Sequence, residues 1–332
     1  MRLELFTTTP RPPVVLAKVT AAGKDPRPEH RPPTPEDLRG HLAGRLALGV
    51  LLDKALSLDF DDTPPEKIRP LAALLKDLGL YPYFGPGTTR GSRLWVFLEE
   101  PQEDLEALAK GLLRLAEAFG FRGEAYPSGR KPVILPLFGY GAENGQGRPL
   151  YTPEGRPVTL PFRPSYTPPE ALRRAVLAGE LFAVALQRRP QSRHEAALAF
   201  LNLAARLGVL EETALLFRAR RLWVAWGMEL DGSRTLEAWH EEVARLKEAA
   251  ASPGYDRRKG VPYLKEQGYT FPPGLLERLR EWPEPMPLYR QLSRPLPYPL
   301  EALGPLEGVV QATARVVQAP VEMVAATFLA TA

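Results

Sequence analysis

The chain has no cysteine among its 332 residues, which excludes disulfide frameworks and thiolate metal sites. Histidine is almost as scarce. His30, His41, His194 and His240 are the only four, and their spacing fits no zinc motif. Any metal site must then rest mainly on carboxylates, which favours hard divalent cations such as Mg²⁺ or Mn²⁺. No apolar run is long enough to span a bilayer and no stretch reads as a signal peptide, so a cytoplasmic protein is expected. A strong excess of one charge is also missing: 43 Lys and Arg against 39 Asp and Glu leave +4. A pI near 9.2 is compatible with a nucleic-acid partner without demanding one.

Apolar residues make up 44% of the chain, enough for one large core or two ordinary ones. The 37 prolines, with an arginine-heavy charge set and no cysteine, suggest a thermophile, although a GC-rich genome gives much the same bias.

The most informative stretch is Ala55-Leu56-Ser57-Leu58-Asp59-Phe60-Asp61-Asp62. Side chains alternate faces along a strand, so Leu56, Leu58 and Phe60 point one way and Ser57, Asp59 and Asp61 the other. The first set suits packing under helices; the second puts two carboxylates on an open face. Thr63-Pro64-Pro65-Glu66 reads as a helix start with Thr63 as N-cap. Ile68, Leu71, Leu74, Leu75 and Leu78 continue at helical spacing, and Gly79 stops the helix. Tyr81–Phe84 is a second strand, residues 85–91 a glycine-rich turn, Arg93–Leu98 a third strand, Pro101–Phe119 a second helix and Phe121–Tyr126 a fourth strand.

This order, β-α-β-β-α-β, is the ferredoxin-like arrangement. Its usual strand order is four, one, three, two, which would flank Asp59 and Asp61 with Glu124 and Arg93. Three carboxylates and a cation would converge, and like charges that close are costly without a metal.

Around this core, residues 1–35 read as irregular apart from a strand at Val14–Val19. Thr34-Pro35-Glu36-Asp37 begins a helix that carries His41, read as structural. Arg45–Leu52 and Val133–Phe138 read as strands, and residues 139–165 as loops and short strands around a site. Beyond Thr167 helical periodicity takes over in Ala171–Leu186, Glu195–Gly208, Glu211–Met228 and Thr235–Ala251. Trp223, Trp226 and Trp239 are expected in the core. Tyr255–Gly260 is a basic loop, either a phosphate contact or solvated surface. Residues 281–302 form a proline-rich linker. An apolar helical segment, 303–332, lacks a cap and suggests a chain cut from a longer protein.

The run His41-Leu42-Ala43-Gly44, Ala47-Leu48-Gly49-Val50, Leu58-Asp59-Phe60-Asp61 and Thr88-Thr89-Arg90-Gly91-Ser92-Arg93-Leu94-Trp95 resembles the archaeo-eukaryotic primase superfamily. It is most similar to the primase-polymerases of plasmids, phages and integrated elements. The resemblance covers about 30 to 165 and rests on motif order and spacing together. It implies a primase-polymerase catalytic domain over residues 1–166, α+β with a ferredoxin-like (RRM-like) core. A helical primase C-terminal-like domain over 167–280 would follow, and 303–332 would begin a helicase-like domain.

In that family the acidic strand supplies metal ligands, matched by Asp59 and Asp61, with Glu124 as the third acidic residue. A Ser-Gly-Arg-Gly-aromatic-His segment binds the nucleotide's phosphates, matched by Thr88, Arg90 and Gly91, with the backbone amides of Gly91 and Ser92 as further phosphate donors. Arg93 departs from the pattern by standing where the family has histidine. Arginine grips phosphate bidentately but cannot exchange a proton near neutral pH. The resemblance further implies single-stranded DNA and nucleoside triphosphates as partners, Mg²⁺ or Mn²⁺ as cofactor, and two-metal nucleotidyl transfer. Arg130 and Lys131 become phosphate or template contacts. Tyr126 is left between stacking on a base and packing, and Asp62 reads as a turn or cap residue. The alternative raised by Arg93 is a catalytically inactive, nucleic-acid-binding replication protein on the same fold. A cyclic-nucleotide synthase has no supporting motif, and an acidic strand end of unrelated function is the remaining reading.

Overall fold

The computed structural model describes residues 2–8, 14–20, 23–29, 31–87, 91–140, 147–230, 232, 235–252, 260–280, 300–317, 323–325, 327 and 329. Met1–Leu279 is one compact unit and Arg280–Ala332 another. Thr88, Thr89 and Arg90 of the expected phosphate-binding segment lie outside the described residues, as do Tyr255–Lys259 and most of the proline-rich linker.

The first unit opens with β1 (Val14–Thr20), β2 (Gly23–Glu29), α1 (Pro35–Leu42), β3 (Leu46–Val50), β4 (Ala55–Phe60) and α2 (Pro65–Asp77). It continues with β5 (Pro82–Pro86), β6 (Ser92–Phe97), α3 (Leu105–Ala118), β7 (Glu124–Tyr126) and β8 (Val133–Ile134). Helices follow: α4 (Pro169–Ala185), α5 (Arg193–Arg206), α6 (Leu210–Phe217), α7 (Arg220–Ala225), α8 (Leu236–Ala251), α9 (Val261–Glu266) and α10 (Pro273–Arg280). The chain is mixed α+β, with two small sheets ordered β2-β1-β3-β8 and β5-β6-β4-β7. Among the described residues no helix is long and apolar enough to cross a membrane.

The second sheet has the strand order expected for β-α-β-β-α-β, with every neighbour antiparallel. Its alternation sorts two cores. Leu56, Leu58, Phe60, Leu94 and Val96 pack with α2 and α3, while Ala55, Trp95, Phe97 and Tyr83 pack with Leu48, Val50 and Val133 of the first sheet. The face carrying Ser57 and Asp59 is therefore not open, as expected from sequence, but largely covered: Ser57 is buried and only the strand's acidic end reaches the rim. The covering sheet was legible only as separate strands. Its partner strand β2 holds Pro26 and Pro28 and read as irregular; it forms because it is an edge strand, where a missing N–H need not break a ladder.

Two cap readings diverge. Thr34 accepts from the Asp37 amide, and Asp37 returns the bond to the Thr34 amide in a full capping box. Arg31 also grips Asp37, and these bonds, Arg31's above all, lower its carboxyl to about 2. Thr63, in contrast, caps nothing: α2 starts at Pro65, and the Thr63 hydroxyl turns back to the Asp61 carbonyl at 3.4 Å. Proline at the helix start needs no donor partner, so the cap can be omitted.

The predicted helix Glu211–Met228 is two helices, broken at Ala219, whose backbone is extended. Neither glycine nor proline marks the break. Tertiary donors allow it: Trp239 Nε1 bonds the Phe217 carbonyl and His240 Nε2 the Arg218 carbonyl, each at 2.7 Å. Trp226 and Trp239 are buried as expected, and Trp223 is partly buried against the same core.

Beyond Thr167 every described element of the first unit is helical, yet the apolar core runs on without a gap from Leu56 to Leu275. Thr167 itself is stitched to the second sheet through the Tyr81 amide and the Phe97 carbonyl. The seam is α3 against α4, which run side by side in parallel. Asp104 meets Arg173, Arg114 meets Glu180 and Phe119 stacks on Phe182 at 5.1 Å. Two glycines make this approach possible, Gly111 beneath Val176 and Gly179 beneath Leu115.

In the second unit, a 3-10 segment (Leu300–Leu306) precedes α11 (Glu307–Val317), and Leu303, Val310, Val324 and Ala325 form a small core.

A Cβ at Gly111 would stand 2.3 Å from Val176. Gly111→Leu is therefore expected to lower stability by about 1–3 kcal/mol through overpacking. Gly274→Ala, where a Cβ meets nothing, should not. Denaturant unfolding of both variants checks this; equal midpoints would contradict the seam.

Candidate functional site

The acidic end of β4 is built by register. Asp59 stands opposite Arg93 of β6 on one side and Glu124 of β7 on the other, the neighbours expected from sequence. Glycines close the backbone on both sides. A Cβ at Gly91 would lie 2.1 Å from the Phe60 carbonyl, and one at Gly123 would lie 2.1 Å from the Asp59 carbonyl. Gly91 also adopts φ +70°, a conformation open to glycine. Asp61 falls one residue beyond the strand and is exposed, and Asp62 makes the turn at φ +58°.

Arg93 is only 7% exposed and is the most connected side chain here. One Nη bonds the Asp59 carboxylate and the other the Ile134 carbonyl, at 3.1 Å, so it bolts β4 to β8 of the other sheet. Its guanidinium carbon lies 5.8 Å from the Tyr126 ring centroid and 6.0 Å from that of Trp95. Tyr126 thus packs on a cation rather than offering an open stacking face. Its hydroxyl donates to Glu124, and burial first, then that carboxylate, push its pKa up to about 12.

Ser92 pairs with Phe60, so its side chain belongs to the helix-facing side and is buried. Arg130 and Lys131 are exposed on the turn after β7. His41 is fully buried: its Nδ1 accepts from the Leu48 amide, so Nε2 donates to the Pro136 carbonyl at 2.9 Å. It clamps β3 to the segment after β8, as its structural reading requires.

The donor set Asp59, Asp61 and Glu124 has the chemistry of a hard-cation site. Its geometry is not assembled: Asp59 faces Arg93, Glu124 faces Tyr126, and among the described residues no group of three acidic or imidazole side chains converges.

Next to Arg93 lies a small cavity lined by Gly85, Gly87, Trp95, Leu137 and Arg148. Arg148 was not singled out from the sequence; it sits in a stretch that read as loops and short strands. It is half-buried, donates to the Gly87 carbonyl at 2.6 Å and lies 5.6 Å over the Phe138 ring. Burial and then the nearby Arg93 charge lower its pKa from the usual guanidinium value. Leu137 adopts φ +63°, an uncommon backbone for a branched residue and a pointer to a constrained site.

No protein-family model matches the chain, and no curated protein matches it.

Gly91→Ala forces a side chain into the left-handed region and against the Phe60 carbonyl. The expected result is a loss of about 1–3 kcal/mol in stability and displacement of Asp61. A melting curve indistinguishable from that of the parent would show that the turn can move aside.

Proposed function

We propose that the chain is a primase-polymerase: a template-directed nucleotidyltransferase that joins nucleoside triphosphates on single-stranded DNA. The observation that carries this reading is the register that sets Asp59 between Arg93 and Glu124 at one glycine-clasped end of the sheet. Three segments far apart in sequence, each resembling one motif of the archaeo-eukaryotic primase superfamily, meet there. The ferredoxin-like strand order supports the same reading, with residues 1–166 as the catalytic domain and 167–280 as a primase C-terminal-like domain.

In this proposal Arg93, the Gly91 and Ser92 amides and Arg90 orient the triphosphate, while Arg130 and Lys131 contact phosphate or template. Mg²⁺ or Mn²⁺ belongs to the proposal, with Asp59, Asp61 and Glu124 as its ligands. When bound, such ions stabilise charge on attacking and leaving oxygens. Asp59 is first required to leave Arg93. A replicative setting, with a helicase as a partner, is part of the same reading.

A second reading is favoured by one observation. Arg93 is buried and committed to Asp59 and Ile134, which suits a protein that keeps the fold and binds nucleic acid without chemistry.

The test is primer synthesis on single-stranded DNA with labelled nucleoside triphosphates and Mg²⁺ or Mn²⁺, beside Asp59→Ala/Asp61→Ala. The expected outcome is product from the parent and none from the variant. DNA binding with no product from the parent would select the second reading, and product from both would remove the carboxylates from the mechanism.

A further inference from the structure

Two groups that the proposed chemistry needs separately are tied to each other. Asp59 would hold a cation and Arg93 a phosphate, yet one Nη of Arg93 holds the Asp59 carboxylate. The pair is shielded from water: Arg93 is buried and the Asp59 side chain is 19% exposed. A divalent cation that took Asp59 alone would leave the guanidinium buried beside a second positive charge. The Ile134 carbonyl, its other partner, is no counter-ion. A phosphate that took Arg93 alone would leave the carboxylate facing an anion, which is also unfavourable. Each exchange becomes favourable when the other occurs, because the freed carboxylate then has a cation and the freed guanidinium an anion.

Arg93 is held so that it can change partners without leaving. Its second Nη stays on the Ile134 carbonyl at 3.1 Å, and the Trp95 and Tyr126 rings flank the guanidinium. Its Nε is buried with no hydrogen-bond partner, so the same planar group has a donor to spare. Glu124, paired with Asp59 across the ladder, accepts from the Tyr126 hydroxyl. The ring that flanks the cation thus also holds a second carboxylate of the set. Gly91 and Gly123 pack the neighbouring backbones against this end of β4, which leaves the exchange to side chains.

We infer that Arg93 gates the metal site: it keeps Asp59 from a divalent cation until a phosphate group takes the guanidinium, so metal and phosphate bind weakly alone and tightly together. A guanidinium fork matches phosphate oxygens bidentately, which is what lets a phosphate compete with a carboxylate for it. The inference rests on the function proposed above and deepens it by naming how that site is regulated. Such coupling is reciprocal: phosphate raises the affinity for metal by the factor by which metal raises the affinity for phosphate.

The experiment titrates the full chain with Mn²⁺, with and without inorganic pyrophosphate, for the parent, Arg93→Gln and Arg93→Gln/Asp59→Asn. Water-proton relaxation separates Mn²⁺ on the slowly tumbling protein from Mn²⁺ chelated by free pyrophosphate. The parent is expected to bind Mn²⁺ about tenfold or more tightly when pyrophosphate is present. Arg93→Gln should bind Mn²⁺ alone about tenfold more tightly than the parent does alone, with little further gain from pyrophosphate. Adding Asp59→Asn should remove that gain. Because Arg93→Gln strands a buried carboxylate, a second readout uses the parent fold: fluorine NMR of fluorotryptophan-labelled protein, with the Trp95 signal assigned by Trp95→Phe. Mg²⁺ alone should leave that signal in place, and Mg²⁺ with pyrophosphate should move it. The inference is overturned by any of four results: no protein-bound Mn²⁺ in the parent, equal Mn²⁺ affinity with and without pyrophosphate, a folded Arg93→Gln that binds Mn²⁺ no better than the parent, or a Trp95 signal that Mg²⁺ alone moves as far. Primer synthesis is a separate readout. Coupled binding with no synthesis sinks only the catalytic reading, and synthesis with uncoupled metal binding sinks only this one.

Discussion

The buried ion pair between Arg93 and Asp59 is the constraint on which the site depends. Arg93 reaches from β6 to β4 and on to the Ile134 carbonyl of β8, so one side chain joins the two sheets. Charges taken out of water are tolerated only when they are paired and hydrogen-bonded. Here the pairing is specific, and Trp95 and Tyr126 flank the cation with ring faces. The same pair fixes the electrostatics around it. It withholds Asp59 from other cations.

Packing supports the pair from both directions. Below it, the alternation of β4 sends Leu56, Leu58 and Phe60 into the core shared with α2 and α3. That core continues through the parallel α3–α4 seam into the helical layer, so the sheet is held from behind. Above it, the first sheet covers Ser57 and Trp95 and leaves only the end of β4 at the rim. Gly91 and Gly123 let the flanking backbones close on that end, which makes the position of Asp59 a property of the backbone and not of a loop.

Much of this was legible in the sequence because it depends on local pattern. Period-two alternation in β4, helical spacing in α2 and the glycine stop at Gly79 are local signals, and with the strand order of a known arrangement they place Arg93 and Glu124 beside Asp59. What was not legible depends on distant partners. The covering sheet could not be read from separate short strands, one of them carrying prolines, so the acidic face looked open. The break at Ala219 depends on donors from Trp239 and His240. Arg148 lay in a stretch rich in glycine, proline and arginine, where the close approaches of Gly85 to Pro149 and of Gly147 to Tyr140 exist only in three dimensions.

The most direct measurement is a double-mutant cycle on stability with Asp59→Asn, Arg93→Gln and the double variant. If Arg93 and Asp59 form the organising pair, each single change strands a buried partner and should lose about 3–5 kcal/mol, and the double should lose far less than their sum. Additive effects, or single changes near zero, would show that the two side chains act independently and would remove the pair from the centre of the account.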